Sequence, residues 1–225
     1  MHDFEPPDDP AWFAAVVQEV DHEFAVTGRD TPGWPDPHGE REPSDEEYSR
    51  CLDPGKYRIL SARVDAWARV LTSRGVTYDD TERTAAWHDA IRSPAEMANG
   101  RRFSSTQPSG AALLTATTVV GGEPYGLDLA ISHESLAATF VDTVPDCGCD
   151  ACDSGSADLL YVLDGWFLTV ARGGVLRVWS DSASLTRTRD GWEGSGIGAA
   201  QLERWLDETV PTPANVGRVI AQPWF

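Results

Sequence analysis

The chain has 225 residues and a mass of 24.5 kDa, with 41% hydrophobic and 24% charged residues. That length allows one large domain or two small ones, and the composition excludes wholesale disorder and collagen-like architecture. The net charge of −18 is uneven, with 14 acids and 3 bases in residues 1–50, 7 and 9 in 51–110, and 15 and 6 beyond; a field of that sign repels phosphates and disfavours nucleic-acid binding.

The first half reads as helices. Asp9-Pro10 gives an N-cap with proline at the first helical position, and Gly28 gives a stop. Between them Phe13, Val16, Val17, Val20 and Phe24 form one apolar stripe. Residues 29–43 contain four prolines, which exclude a helix or a central strand and predict an extended loop pinned by Trp34. Ser44-Asp45-Glu46-Glu47 is a capping-box pattern that opens a short helix to about Leu52. Asp53-Pro54 starts a long helix to about Arg74, with Gly75 after it and a buried stripe of Tyr57, Leu60, Val64, Trp67 and Leu71. Its arginines, Arg58, Arg63, Arg69 and Arg74, with Arg101-Arg102 beyond, read as a solvated face. A further helix is expected over Thr81–Ile91, carrying Trp87. Ser93-Pro94-Ala95-Glu96 caps a last short turn ending near Gly100.

Near residue 110 the period changes from 3.6 to 2. Residues 111–120 and 125–132 predict two strands joined through Gly121-Gly122, and 135–141 a third. Ala157–Asp164 predicts a helix ending at Gly165. Trp166–Ala171 and Val175–Trp179 predict a hairpin across Gly173-Gly174, followed by a strand near Ala183–Thr188. A closing helix spans roughly Ala199–Thr209. No strand–helix–strand alternation supports a parallel sheet. The fold expected over residues 1–225 is therefore a single α+β domain. Its amino-terminal helical layer, about 9–100, packs on a mainly antiparallel β-sheet built from about 111–225. Two cores divided by a polar linker at Arg101–Gly110 are the alternative.

No apolar run approaches the roughly 20 residues of a membrane span. The acidic, proline-rich start is unlike a signal peptide. A cytosolic chain that engages no membrane is expected, and four cysteines are too few for a disulfide scaffold.

The sharpest motif runs Pro145-Asp146-Cys147-Gly148-Cys149-Asp150-Ala151-Cys152-Asp153-Ser154-Gly155. Cys149 and Cys152 have the spacing by which two thiolates share one tetrahedral ion, and Cys147 can reach the same ion in a tight loop. A structural zinc on Cys147, Cys149 and Cys152 needs a fourth ligand, for which Cys51, His133, Asp153 or a water are the candidates. A redox pair and plain thiols of a structural loop remain open beside it. The surrounding carboxylates raise thiol pKa values, which blunts the redox reading. Asp142, Asp146, Asp150, Asp153, Asp158 and Asp164 lack the alternating order of an EF-hand and read as solvated acids. Gly194-Ser195-Gly196-Ile197-Gly198 lacks the spacing of a dinucleotide fingerprint and reads as a connector. The five histidines form no metal-binding pair. A Cys149–His133 nucleophile and base is a minor alternative.

Together with Pro145–Gly155, three further stretches carry a resemblance: Trp34-Pro35-Asp36-Pro37-His38, Pro43-Ser44-Asp45-Glu46-Glu47-Tyr48-Ser49 and Asp53-Pro54-Gly55-Lys56-Tyr57-Arg58. The chain resembles a family from high-GC Gram-positive bacteria, the domain of unknown function 6226, over residues 10–208. The resemblance implies one cytosolic unit of shared architecture and no catalytic residue. Strong acidity, nine tryptophans and the lack of an assembled catalytic set lead to a non-enzymatic binding module of the immunity-protein or antitoxin kind, capturing a basic protein partner. The alternative is a metal-assisted or thiol-dependent enzyme centred on the cysteine loop. A Cys-loop lying between a strand ended by Pro145 and a helix capped by Ser154 or Ser156 is expected in either case, with Gly148 letting the backbone turn.

Overall fold

The computed structural model describes residues 11–80, 87, 96–106, 110–120, 122–133 and 138–225. Helix α1, Trp12–Thr27, buries Val16 and Val20 and ends at Gly28. Its expected start at Asp9-Pro10 lies outside the described residues. The proline-rich stretch after it forms neither helix nor strand. Two single-turn 3₁₀ segments follow, Asp45–Ser49 and Pro54–Tyr57. The second runs directly into α2, Arg58–Ser73, whose predicted stripe is fully buried.

Arg63 corrects the reading of a solvated arginine face, because it is only 3% exposed. Packing of α1 and a later helix on both sides of α2 encloses it. Arg69 and Arg74 reach across to Glu23 and Glu19 of α1 at 3.2 and 2.8 Å, so the face joins two helices.

Strands β1 (Thr77–Asp79), β2 (Met97–Ser104), β3 (Ala112–Val120), β4 (Glu123–Ser132) and β5 (Thr139–Val144) form one antiparallel meander in chain order. Val120 pairs with Glu123, which is the two-residue hairpin read from Gly121-Gly122. The helix expected at 81–91 lies outside the described residues except for buried Trp87. The turn expected to end near Gly100 is instead β2, which buries Met97 and Phe103. Residues 93–95 of the capping signal lie outside the described residues, and Glu96 is in a 3₁₀ turn just before the strand. Arg101–Ser104, part of the linker alternative, belongs to that strand.

The second correction is larger. Trp166–Ala171 is not a strand but the second half of α3, Ser156–Arg172, which continues through Gly165. Helical phase brings Leu163, Phe167, Val170 and Ala171 into the core together, which alternation would not. Phe167 stacks on Trp67 of α2 with centroids 4.8 Å apart, and meets Phe103 of β2 edge-on at 5.0 Å. This trio clamps the helical layer onto the sheet, each aromatic pair contributing about 1 kcal/mol beyond area burial.

A second antiparallel sheet has the order β8-β7-β6-β9, from β6 (Leu176–Trp179), β7 (Ser184–Thr188), β8 (Gly191–Ser195) and β9 (Gly217–Ile220). The glycine-rich connector thus supplies part of β8. Helix α4, Ala199–Leu206, covers this sheet through Trp205. The largest apolar cluster draws on α1, α2, α3 and both sheets, from Val16 to Trp224. The architecture is α+β as expected, with two sheets where one was read. No described helix is long and apolar enough to cross a membrane.

Candidate metal centre in the cysteine loop

The loop between β5 and α3 carries three thiols within six residues. Pro145 terminates β5 immediately after Val144. A 3₁₀ turn, Asp150–Cys152, then folds the chain back on itself. The ligand atoms of Cys147, Cys149 and Cys152 all lie within 4.8 Å of one another, and Cys147 Sγ is 3.1 Å from Cys149 Sγ. All four cysteines are free thiols. Zinc–sulfur bonds of about 2.3 Å place two sulfurs of a tetrahedral site about 3.8 Å apart, so shifts of no more than about 1 Å suffice. These three residues could hold a metal ion.

Gly148 serves a different purpose from the one read in the sequence. Its backbone needs no left-handed conformation. What excludes a side chain there is Tyr125 of β4, whose ring carbon Cζ would sit 2.2 Å from an added Cβ. Tyr125 packs edge-on against Tyr57 at 5.6 Å, and Tyr57 against Trp34 at 6.0 Å. The loop therefore rests on an aromatic ledge contributed by β4 and by residues 34–57.

Asp146 and Asp158 are exposed as read, but Asp150 and Asp153 are not simply solvated. Asp150 accepts from Arg50 Nε at 3.0 Å and from the Leu52 amide at 3.1 Å, while its own amide donates to the Arg50 carbonyl at 2.8 Å. Asp153 is buried and accepts from Lys56 Nζ at 2.5 Å, Trp34 Nε1 at 2.9 Å and the Gly155 amide at 2.9 Å. Burial alone would raise the Asp153 pKa. Donation from Lys56, Trp34 and Gly155 more than reverses this and holds the carboxyl below its usual range. Two aspartates thus fasten the whole proline-rich strap, residues 29–57, to the cysteine loop.

The expected serine cap is also replaced. Gly155 precedes α3 without a side-chain cap. Ser156 Oγ instead accepts from the Trp34 amide at 3.0 Å and donates to its carbonyl at 3.1 Å. Trp34 pins the strap as read, but through partners 119 and 122 residues away.

Among the thiols, burial would raise Cys149, yet hydrogen bonds from Cys147, Cys152 and the backbone amides at 151–152 lower it overall. Cys152 is pushed up to about 12, chiefly by its hydrogen bond to Cys149. Cys149 is the buried member of the trio, while Cys147 and Cys152 are exposed.

None of the named fourth-ligand residues joins this group, which contains no histidine and no carboxylate among the described residues. Asp153 is committed to Lys56 and Trp34. Cys51 is half-buried and packs against the main core. His38, unread in the sequence as a neighbour, lies with Nδ1 3.4 Å from the Asp153 carbonyl. Its only advance signal was its place in the Trp34–His38 motif.

A search against protein families matches residues 20–225 to a family of unknown function, DUF6226. No curated protein and no solved structure matches the chain.

Proposed function

The chain belongs to the family of unknown function DUF6226, and within it we propose a non-enzymatic binding protein, one α+β domain whose cysteine loop is held by a single structural zinc. One observation carries the metal reading: three thiols converge where β5, the strap and α3 meet. Deprotonated together, they repel one another, and a divalent soft ion neutralises them. In a reducing cytosol zinc suits such a set. Its bonds would tie the loop, and through Asp150 and Asp153 the strap, to the core.

The binding reading rests on charge. An excess of 18 acids favours a basic protein partner, as in complexes of immunity proteins or antitoxins. The rival reading, a metal-assisted or thiol-dependent enzyme at the same loop, is weakened by the ligand type. Three anionic thiolates reduce, without abolishing, the charge by which zinc acidifies a bound water.

Elemental analysis of tag-free protein should give close to one zinc per chain, and Cys149→Ser should abolish it. Chelation should lower the melting temperature. Metal-free protein whose melting temperature ignores chelator overturns the zinc reading. Affinity capture at low salt should retain a basic protein that is released at high salt, and retention of none overturns the partner reading.

A further inference from the structure

We propose that an ion held by Cys147, Cys149 and Cys152 keeps an exchangeable fourth position, and that this position takes a neutral nitrogen donor, an imidazole, from outside the chain. The inference rests on the zinc reading above and adds the class of ligand that the site accepts.

Three observations support it. First, among the described residues no histidine or carboxylate joins the trio; Asp146 is exposed beside Cys147 without joining it, and the other nearby donors are engaged elsewhere. Asp150 is held by Arg50 and the Leu52 amide, and Asp153 by Lys56, Trp34 and Gly155. The His38 side chain is enclosed, with Nδ1 3.7 Å from Asp36 and Nε2 3.8 Å from Glu47. The thiol of Cys51 packs with the main core rather than with the trio.

Second, the trio is asymmetric. Cys149 faces inward, and Cys147 and Cys152 are exposed. The two exposed residues leave the trio accessible to an incoming ligand on their side. Three chain ligands leave a tetrahedral zinc one position to be filled, and a closed structural site needs that fourth ligand.

Third, charge selects the donor. Three thiolates around a divalent ion carry a net charge of about −1. Arg50 and Lys56 offset Asp150 and Asp153, but Asp146 beside the trio is exposed and the whole chain stands at −18. A fourth thiolate or carboxylate would add a negative charge to that field. Imidazole binds zinc without adding charge, and a histidine borne on a basic segment arrives with favourable steering. The same site therefore gives the proposed basic partner a defined anchoring atom, a histidine nitrogen.

The test uses the full-length chain loaded with cobalt(II), whose visible bands report the ligands of a tetrahedral site. Free imidazole should shift these bands saturably, with at least tenfold tighter apparent affinity than acetate or a small thiol at the same pH. An arginine-rich peptide with one histidine should bind at least tenfold tighter than the same peptide with glutamine there. That arm separates a protein-borne histidine from a free imidazole. Cys51→Ser and His133→Gln should leave the cobalt spectrum unchanged. A spectrum indifferent to imidazole, stronger binding by the thiol, or a change on Cys51→Ser overturns the proposal while leaving the metal reading standing. Failure to take up cobalt or zinc at all overturns both.

Discussion

Replacing Asp164 by alanine should destabilise the protein far more than a surface acid would. Asp164 on α3 accepts from Arg63 Nε at 2.9 Å, from Arg63 Nη2 at 2.5 Å and from Trp67 Nε1 at 2.6 Å. Arg63 and Trp67 are both buried on α2. Burial would lower the Arg63 pKa, but the bonds to Asp164 and Asp21 outweigh it, so the guanidinium stays charged. Deleting one partner of a buried pair costs about 3–5 kcal/mol. Asp21 still holds Arg63 Nη1 at 2.8 Å but is 63% exposed, so its compensation is partial and the low end applies. The orphaned indole N–H adds about 1 kcal/mol. The total is about 4 kcal/mol, a fall in urea midpoint of about 1–2 M for an m-value near 3 kcal/mol/M. Arg63→Met with Asp164→Leu should recover most of it, because no buried charge remains and only the indole lacks an acceptor. Urea unfolding followed by circular dichroism measures all three variants. A loss below 1 kcal/mol for Asp164→Ala, or a double variant no more stable than it, would refute the reasoning.

Glu47 titrates at about 2, held down chiefly by donation from Arg41 and then by the Ser44 amide, with His38 and Arg50 also facing it. Its contribution to stability is full above the ordinary value of 4.5 and is lost as pH falls towards 2, so Glu47→Gln should flatten the melting temperature across that window. Gly155 has φ of +90°, and an added Cβ would lie 2.7 Å from the Asp36 amide nitrogen. Gly155→Ala should therefore cost roughly 2 kcal/mol or more in urea, and a neutral result would show that the strap yields freely. Lys56→Met removes the cation from buried Asp153 and from above the Trp34 ring, 5.3 Å away. It should cost about 3 kcal/mol, and Asp153→Asn in the same background should restore part of it.

Local signals were the legible ones. The stripe from Tyr57 to Leu71 and the hairpin signal at residues 121–122 can each be read within about fifteen residues, because periodicity and turn chemistry act at that range. The run Trp166–Ala171 was misread because six apolar or small residues suit a strand or a buried helix equally well. Only the arrival of Trp67 and Phe103 against Phe167 decides between them. The convergence of Cys147, Cys149 and Cys152 was visible in their spacing. The role of the acids around them was not. Asp150, Asp153 and Asp164 read as solvated because their partners, Arg50, Lys56 and Arg63, stand about 100 residues earlier. The short strands β1, β8 and β9 were missed because three to five residues carry too little pattern to register.

The seating of the strap has a consequence for the order of events during synthesis. Trp34 meets Ser156 across 122 residues, Arg63 meets Asp164 across 101, and Trp224 meets Ala111 across 113. Closing a loop of about 100 residues costs about 2 kcal/mol more than closing one of 10. At roughly 5–20 residues per second, the ribosome needs on the order of 5–20 s to add the residues that the strap awaits. During that interval α1 and α2 can pair through their neighbouring faces. Arg63 has no counter-ion on α3 to bury it, and Trp34 has no aspartate to hold its indole. The amino-terminal half thus leaves the ribosome with a cation and an aromatic strap exposed, and both are seated only once residues 150–164 arrive.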